Sequence, residues 1–273
     1  MAPGYYTVDF PAFLCPRLDA PIVMAHGLFG FDRIGLGPLT LATYFRRIPR
    51  LFEVAGNRVL VSKVPPISRI ERRARVLGDR IRSVFGGEPV HLIGHSMGGL
   101  DARALLASEG NSGLILSLTT IATPHLGSAL ADFAKIGFGR VYRLLESLGV
   151  DHGGFLDITR RAARDFHRSH PVPDGIPCFS IAGDPVRENV CRPLRRFHAI
   201  LTEAEGPNDG LVSVDSANAF GEPLPRWSAD HFHQMNWFPP RNGPSVMSLY
   251  LDVLENLATI ESGCIHQPQL IEV

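Results

Sequence analysis

Short apolar runs punctuate the chain: PIVMA (21–25), RVLVSK (58–63), VHLIG (90–94), LILSLTTIA (114–122) and CFSIAG (178–183). Each is rich in Val, Ile or Leu and bounded by Gly or Pro. A strand with one wet face alternates apolar and polar positions. Runs that stay apolar instead predict strands covered on both faces, as in a parallel sheet. The segments between them, such as 68–85 and 98–109, are long enough to be crossover helices. In ISRIERRARVLGDRIRS, Ile70, Ala74, Leu77 and Ile81 recur at helical spacing, which predicts one amphipathic helix with a solvated basic face. Strand and helix in alternation give an α/β fold, a mostly parallel central sheet with helices on both faces.

Residues 127–170 break the rhythm, with helical patterning and no strand before Cys178. Leu130, Phe133, Phe138, Val141, Leu144, Leu145 and Leu148 supply more large apolar side chains than one narrow stripe needs. Two readings stand side by side: a helical lid or cap insertion over 127–172 whose inner face meets an apolar substrate, or crossover helices packed in the ordinary way. Glycines 137, 139, 149, 153 and 154 permit hinges or plain turns alike. With no linker or repeat, residues 1–273 read as one domain.

Charge and composition mostly exclude. The 27 basic and 27 acidic side chains balance, so no general field draws nucleic acid. No apolar stretch approaches the ~18 residues of a membrane span. The N-terminus lacks a basic start followed by a long apolar stretch, so it does not read as a signal peptide. The cytoplasm is the expected location, with secretion left open. Cys15, Cys178, Cys191 and Cys264 are too scattered for a disulfide scaffold or a zinc site. A Cys178–Cys191 bridge is conceivable, but free thiols are expected.

Against that background one stretch carries chemistry. VHLIGHSMGGLDAR sets Ser96 in a G-x-S-x-G pattern between a buried strand and a helix, the context of a nucleophile elbow. Such a turn forces unusual backbone angles and tight flanks, which explains Gly94 and Gly98. The helix that follows aims backbone N–H groups at developing negative charge. A serine hydroxyl needs a histidine base and an orienting carboxylate. His95 adjoins Ser96 but points elsewhere and reads as packing. His26 in AHGLFG and His125 in TPHLG follow strands and could approach the site. The hydrolase order of nucleophile, acid and base requires both partners further along. Asp209 in GPNDGLVSVDSA supplies the acid, with Asp184 and Asp215 as rivals, and SADHFHQMNW offers His231 or His233 as base. For the oxyanion, Met97 N–H follows the nucleophile and Gly27 lets Leu28 N–H approach it. This chemistry needs no cofactor.

These blocks, PIVMAHGLFGFD, VHLIGHSMGGLDAR, LTTIATPHLGSALADF, NDGLVSVDSA and DHFHQMNW, resemble in order the bacterial lipases of the Pseudomonas–Burkholderia type, members of the α/β-hydrolase fold. The resemblance implies Ser96 as nucleophile, Asp209 as acid, His231 as base, Leu28 and Met97 as oxyanion donors, and a lid within the helical insert. It departs at the structural calcium that such lipases hold near the catalytic histidine. The ligand positions fall on His233, Trp237 and Arg192, so a chain without that ion is expected. The second cysteine of the family's disulfide falls near Asp215 and has no counterpart. The expected activity is carboxylic ester hydrolysis, foremost of acylglycerols, with transient contact with a lipid interface. The alternatives are a short-chain carboxylesterase or thioesterase, and a catalytically silent lipid-binding relative.

Overall fold

A computed structural model of the protein describes residues 15–28, 33–36, 39–110, 112–137, 153–240 and 245–263. The apolar runs form β1 (Ile22–Ala25), β4 (Val59–Val61), β5 (Val90–His95), β6 (Ile115–Ile121) and β7 (Cys178–Ile181). With β8 (Glu222–Pro223) they make one sheet in the order β4-β1-β5-β6-β7-β8, parallel throughout. This is the α/β architecture expected from the alternating pattern.

Period-two geometry sends alternate side chains of each strand to opposite faces. Val23, Ala25, Leu92 and Leu118 point to one face, where they meet Ile70, Ala74, Leu77 and Ile81 of α2 (Ile70–Phe85) and Leu100 and Leu105 of α3 (Met97–Glu109). Ile22, Met24, Ile93, Ile121 and Ile181 point to the other. There they pack on Ile48 and Phe52 of α1 (Ile48–Val54) and on Tyr250, Val253, Leu254 and Leu257 of the helix Val246–Glu261. Both faces are therefore covered, which is why these strands read as unbroken apolar runs.

Three strands lie outside the expected set. β2 (Arg33–Leu36) and β3 (Leu39–Thr43) pair antiparallel in a separate hairpin, short and interrupted by Gly and Pro. β8 is a two-residue edge, exposed and held through its backbone to β7, so no apolar pattern marks it. One helix expectation is also corrected. The basic residues of α2 do not all face water: Arg72, Arg75 and Arg80 do, but Arg73 is fully buried. The insert is helical where described, through α4 (Ala129–Gly137) and the helices Gly154–Asp157 and Arg160–Ser169. Phe138, Val141, Leu144, Leu145 and Leu148 lie outside the described residues, as does Cys264. Cys15, Cys178 and Cys191 are free thiols, so Cys178 and Cys191 form no bridge.

Because Leu77 is sealed between α2 and the sheet, Leu77→Ala is expected to cost about 2–5 kcal/mol. Arg80→Ala on the wet face should stay within about 0.5 kcal/mol. Denaturant midpoints for the two variants check this, and equal losses would mean that α2 does not bury one stripe.

Candidate active site

The parallel strands all end on one rim, and that rim gathers the polar groups. At the end of β5 the chain turns into α3 through Ser96, whose backbone sits at φ 56° and ψ −132°. A non-glycine residue there stores on the order of 1–3 kcal/mol of strain. The flanks leave no space for side chains. A Cβ on Gly98 would stand 2.2 Å from Ala25 O, and one on Gly94 would stand 2.5 Å from Gly99 Cα. Both obstacles are backbone and cannot swing aside. Ser96 N–H donates to Ile121 O at 2.9 Å, anchoring the turn to β6. Met97 opens α3, where the first N–H groups have no partner within the helix.

The loop after β1 closes over this turn. A Cβ on Gly27 would lie 2.8 Å from Ser96 Cβ, so the loop passes in contact with the serine. Its peptide planes are held from behind. Arg73 Nη2 donates to His26 O at 2.7 Å and to Gly27 O at 3.3 Å, and His26 Nδ1 donates to Gly27 O at 2.9 Å. In a planar trans peptide the N–H points opposite to the C=O. Drawing Gly27 O toward Arg73 therefore turns Leu28 N–H the other way, and Leu28 lines the cavity in front of Ser96. Arg73 is itself steadied by Asp101, whose two oxygens lie 3.0 and 2.9 Å from Nε. Burial pushes the Asp101 carboxyl up to about 6, against the pull of the facing guanidinium.

The candidate acid and base lie in the last third of the chain. The loop at Asn208–Val212 folds on its own side chains: Gly210 N–H donates to Asn208 Oδ1, while Leu211 and Val212 N–H donate to Asp209 Oδ1 at 2.9 and 2.8 Å. The other carboxylate oxygen, Oδ2, accepts His231 Nδ1–H at 2.7 Å. Burial alone would raise the pKa of Asp209, but His231 and the two loop N–H groups outweigh it and hold the carboxyl below its ordinary range. His231 and Ser96 face the same cavity.

The rivals fall away. Asp184 pairs with Arg226 at the surface, at 3.2 Å, and Asp215 is exposed. His233 is buried in the turn His233–Met235, with Nδ1 unpartnered, and burial lowers its pKa. His26 and His125, expected to approach the site, and His95, read as packing beside the elbow, do not line the cavity. His125 is locked between Arg103 Nη1, which donates to Nδ1 at 2.9 Å, and Thr120 Oγ1, 3.1 Å from Nε2. His95 is more than packing: it hydrogen-bonds to Tyr44 and Gln234. Tyr44, Gln234 and Arg73 are site residues that the sequence reasoning passed over.

The cavity in front of Ser96 is about 550 Å³. Leu28, Leu211, Val212, Phe232, Met235 and Trp237 line it, together with Leu130, Ala131, Ala134, Phe155 and Ile158 of the insert. The insert thus presents apolar side chains to the cavity that Ser96 shares.

The calcium of the similar lipases does not fit here. Asp230 spends both oxygens on backbone donors, Oδ2 on Cys191 N–H and Oδ1 on Phe232 and His233 N–H. Trp237 Nε1 donates to Tyr44 O, and Arg192 lies on the surface. Among the described residues no group of three His, Cys, Asp or Glu side chains could hold a metal, whereas calcium takes about 6–8 oxygens.

Comparison with known proteins follows the same line. A family model for a PGAP1-like alpha/beta domain matches residues 74–148. The chain is 30% identical to triacylglycerol lipase 2 of Saccharomyces cerevisiae over 80% of each chain. It is 39% identical to a triacylglycerol lipase of Vibrio cholerae over 72% of this chain and 73% of that one. The solved structure of a metagenomic carboxyl esterase shares the fold, with a TM-score of 0.72 at 19% identity over 89% of this chain and 76% of that one.

Two outcomes follow from the geometry. Arg73→Met strands the Asp101 charge and should cost about 3–5 kcal/mol, most of it regained when Asp101→Leu is added. The double variant should nonetheless turn over esters more slowly, because His26 O then loses its guanidinium donor and only His26 Nδ1 still holds Gly27 O; full recovery of kcat would show that Arg73 does not orient the loop. Chelation with EDTA should leave Tm unchanged. A fall in Tm that added calcium reverses would contradict the assignment of Asp230 to backbone donors.

Proposed function

The chain belongs to the triacylglycerol lipase family of the α/β-hydrolase fold, and we propose that it hydrolyses acylglycerols through Ser96, His231 and Asp209. It is a carboxylic ester hydrolase. The observation that carries the assignment of roles is the buried Asp209–His231 pair, 2.7 Å apart, whose imidazole shares an apolar cavity with the strained serine.

In this reading Ser96 Oγ adds to the ester carbonyl carbon as His231 Nε2 takes its proton, and Asp209 steadies the imidazolium. The carbonyl oxygen becomes an oxyanion held by Leu28 and Met97 N–H, each such donor contributing about 2.7–4 kcal/mol in the transition state. The tetrahedral centre collapses, the C–O bond to the alcohol breaks, and His231 returns its proton to the departing alkoxide. Water then attacks the acyl-enzyme by the same route, releasing the fatty acid and restoring Ser96. The apolar lining suits an acyl chain, because burying each CH₂ gains about 0.8 kcal/mol. Phe133 on α4 and Phe238 at the cavity are both 54% exposed, which supports a mouth that rests on a lipid surface.

Ser96→Ala should abolish ester turnover with Tm preserved, and wild type but not the variant should be labelled by a serine-directed phosphonate. An unchanged rate in Ser96→Ala removes the nucleophile assignment. A chain-length series of esters, measured above and below substrate solubility, should rise for long-chain emulsions; activity confined to soluble short esters would assign a short-chain esterase instead.

A further inference from the structure

A run of buried polar groups starts at Tyr44, which also lines the cavity, and passes behind it through His95 and Gln234. Gly27 N–H lies 2.9 Å from Tyr44 Oη, and Tyr44 Oη lies 2.8 Å from His95 Nδ1. His95 Nε2 lies 3.0 Å from Gln234 Oε1, and Gln234 Nε2 lies 3.1 Å from both Asp209 Oδ2 and Ala229 O. Tyr44 is 7% exposed, and His95, Gln234 and Asp209 are fully buried, so little water competes for these bonds.

The direction of every bond is forced from the ends. A backbone N–H can only donate, so Tyr44 Oη accepts from Gly27. A carboxylate and a carbonyl can only accept, so Gln234 Nε2 donates to both Asp209 and Ala229. Gln234 Oε1 must then accept from His95 Nε2–H, which leaves Nδ1 of the neutral ring to accept the Tyr44 hydroxyl proton. Burial, with His231 close by, holds the pKa of His95 down to about 3, so this neutral form persists through the working range. All protons point one way, from the oxyanion loop to the carboxylate oxygen that also receives His231 Nδ1–H. The rings of His95 and His231 stand 4.6 Å apart.

We propose that Tyr44, His95 and Gln234 are positioning residues that tie the oxyanion loop to the catalytic carboxylate as one hydrogen-bonded unit, so that neither end can shift alone. The inference rests on the roles proposed above for Leu28, Asp209 and His231. Directional chains of this kind polarise one another in a dry interior, and their members couple rather than add.

The test is a double-mutant cycle across the chain. Tyr44→Phe and Gln234→Met each remove a link while keeping most of the side-chain volume. Each should lower kcat about ten-fold, with KM within about two-fold. The double variant should fall well short of the product of the single losses, since both cut the same chain. A second measurement is independent of turnover: the NMR signal of the His231 Nδ1 proton, which reads its bond to Asp209, should move in Tyr44→Phe although that substitution is three bonds away along the chain. Losses that multiply in full, or an unmoved His231 proton in Tyr44→Phe, overturn the proposal. A wild-type protein that hydrolyses no ester would defeat the functional reading instead, and the proton signal would still decide the chain.

Discussion

The site depends on two backbones meeting where no side chain fits. The loop after β1 and the turn after β5 come together at Gly27 and Gly98, and any Cβ there would run into Ser96 or Ala25 O. Ser96 takes its left-handed backbone angles at that contact, and Leu28 follows Gly27 into the same cavity. Parallel neighbours β1 and β5 supply the closeness through their register, Ala25 beside Gly94. Beyond β5 the sheet continues outward through β6, while the chain reaches β4 on the other side of β1. Ligands bind at such a switch point because the loops on either side diverge and leave a crevice.

Close approach alone would leave peptide groups with several orientations, and buried polar side chains remove that freedom. Arg73 is the clearest case. Its guanidinium reaches Pro65 O, His26 O and Gly27 O, and both Asp101 oxygens face it. A buried ion pair of this kind is weak evidence for stability, since desolvation consumes most of the attraction. Its effect here is on direction: a planar fork with fixed donors selects one orientation of the loop peptides. The Asp209 loop follows the same logic with backbone donors, which hold Oδ1 and leave Oδ2 for His231.

This division explains what a reader of the sequence can see. Strands β1, β5, β6 and β7 are legible because burial on both faces keeps them rich in apolar residues, even with Ser117, Thr119 and Thr120 in β6. β4 is legible from its short VLV run although it is only half-buried. Ser96 is legible because its strain demands glycines in a local pattern. Asp209 and His231 are legible only as members of an ordered set, since each alone resembles a turn residue or a packed histidine. Arg73, Tyr44 and Gln234 leave no local trace. Arg73 lies in a helix whose other arginines are solvated, and only the depth of α3 behind it, with Asp101 turned inward, reveals that it points the other way. Tyr44 follows a hairpin of short, Gly-interrupted strands, and its hydroxyl acquires meaning only when Gly27 and His95 converge on it. The edge strand β8 is missed for a different reason: its order comes from β7 through main-chain bonds, which no side chain advertises.

In the loop that carries His231 a carboxylate organises the turn through main-chain donors. Asp230 immediately precedes His231, and its three acceptor contacts span Cys191 on one side and Phe232 and His233 on the other. Those bonds stitch the stretch after β7 to the turn that presents the imidazole, and His231 N–H adds a bond to Asp209 O at 3.0 Å. Four directed bonds around one residue fix its backbone, and the backbone fixes which ring nitrogen meets Asp209. A cation placed at Asp230 would compete with these three N–H groups for the carboxylate's lone pairs. The histidine at position 233 offers no compensating negative charge. The Asp209–His231 side of the site is therefore held by the same means as the Gly27–Leu28 loop, through main-chain groups whose directions are set by buried side chains.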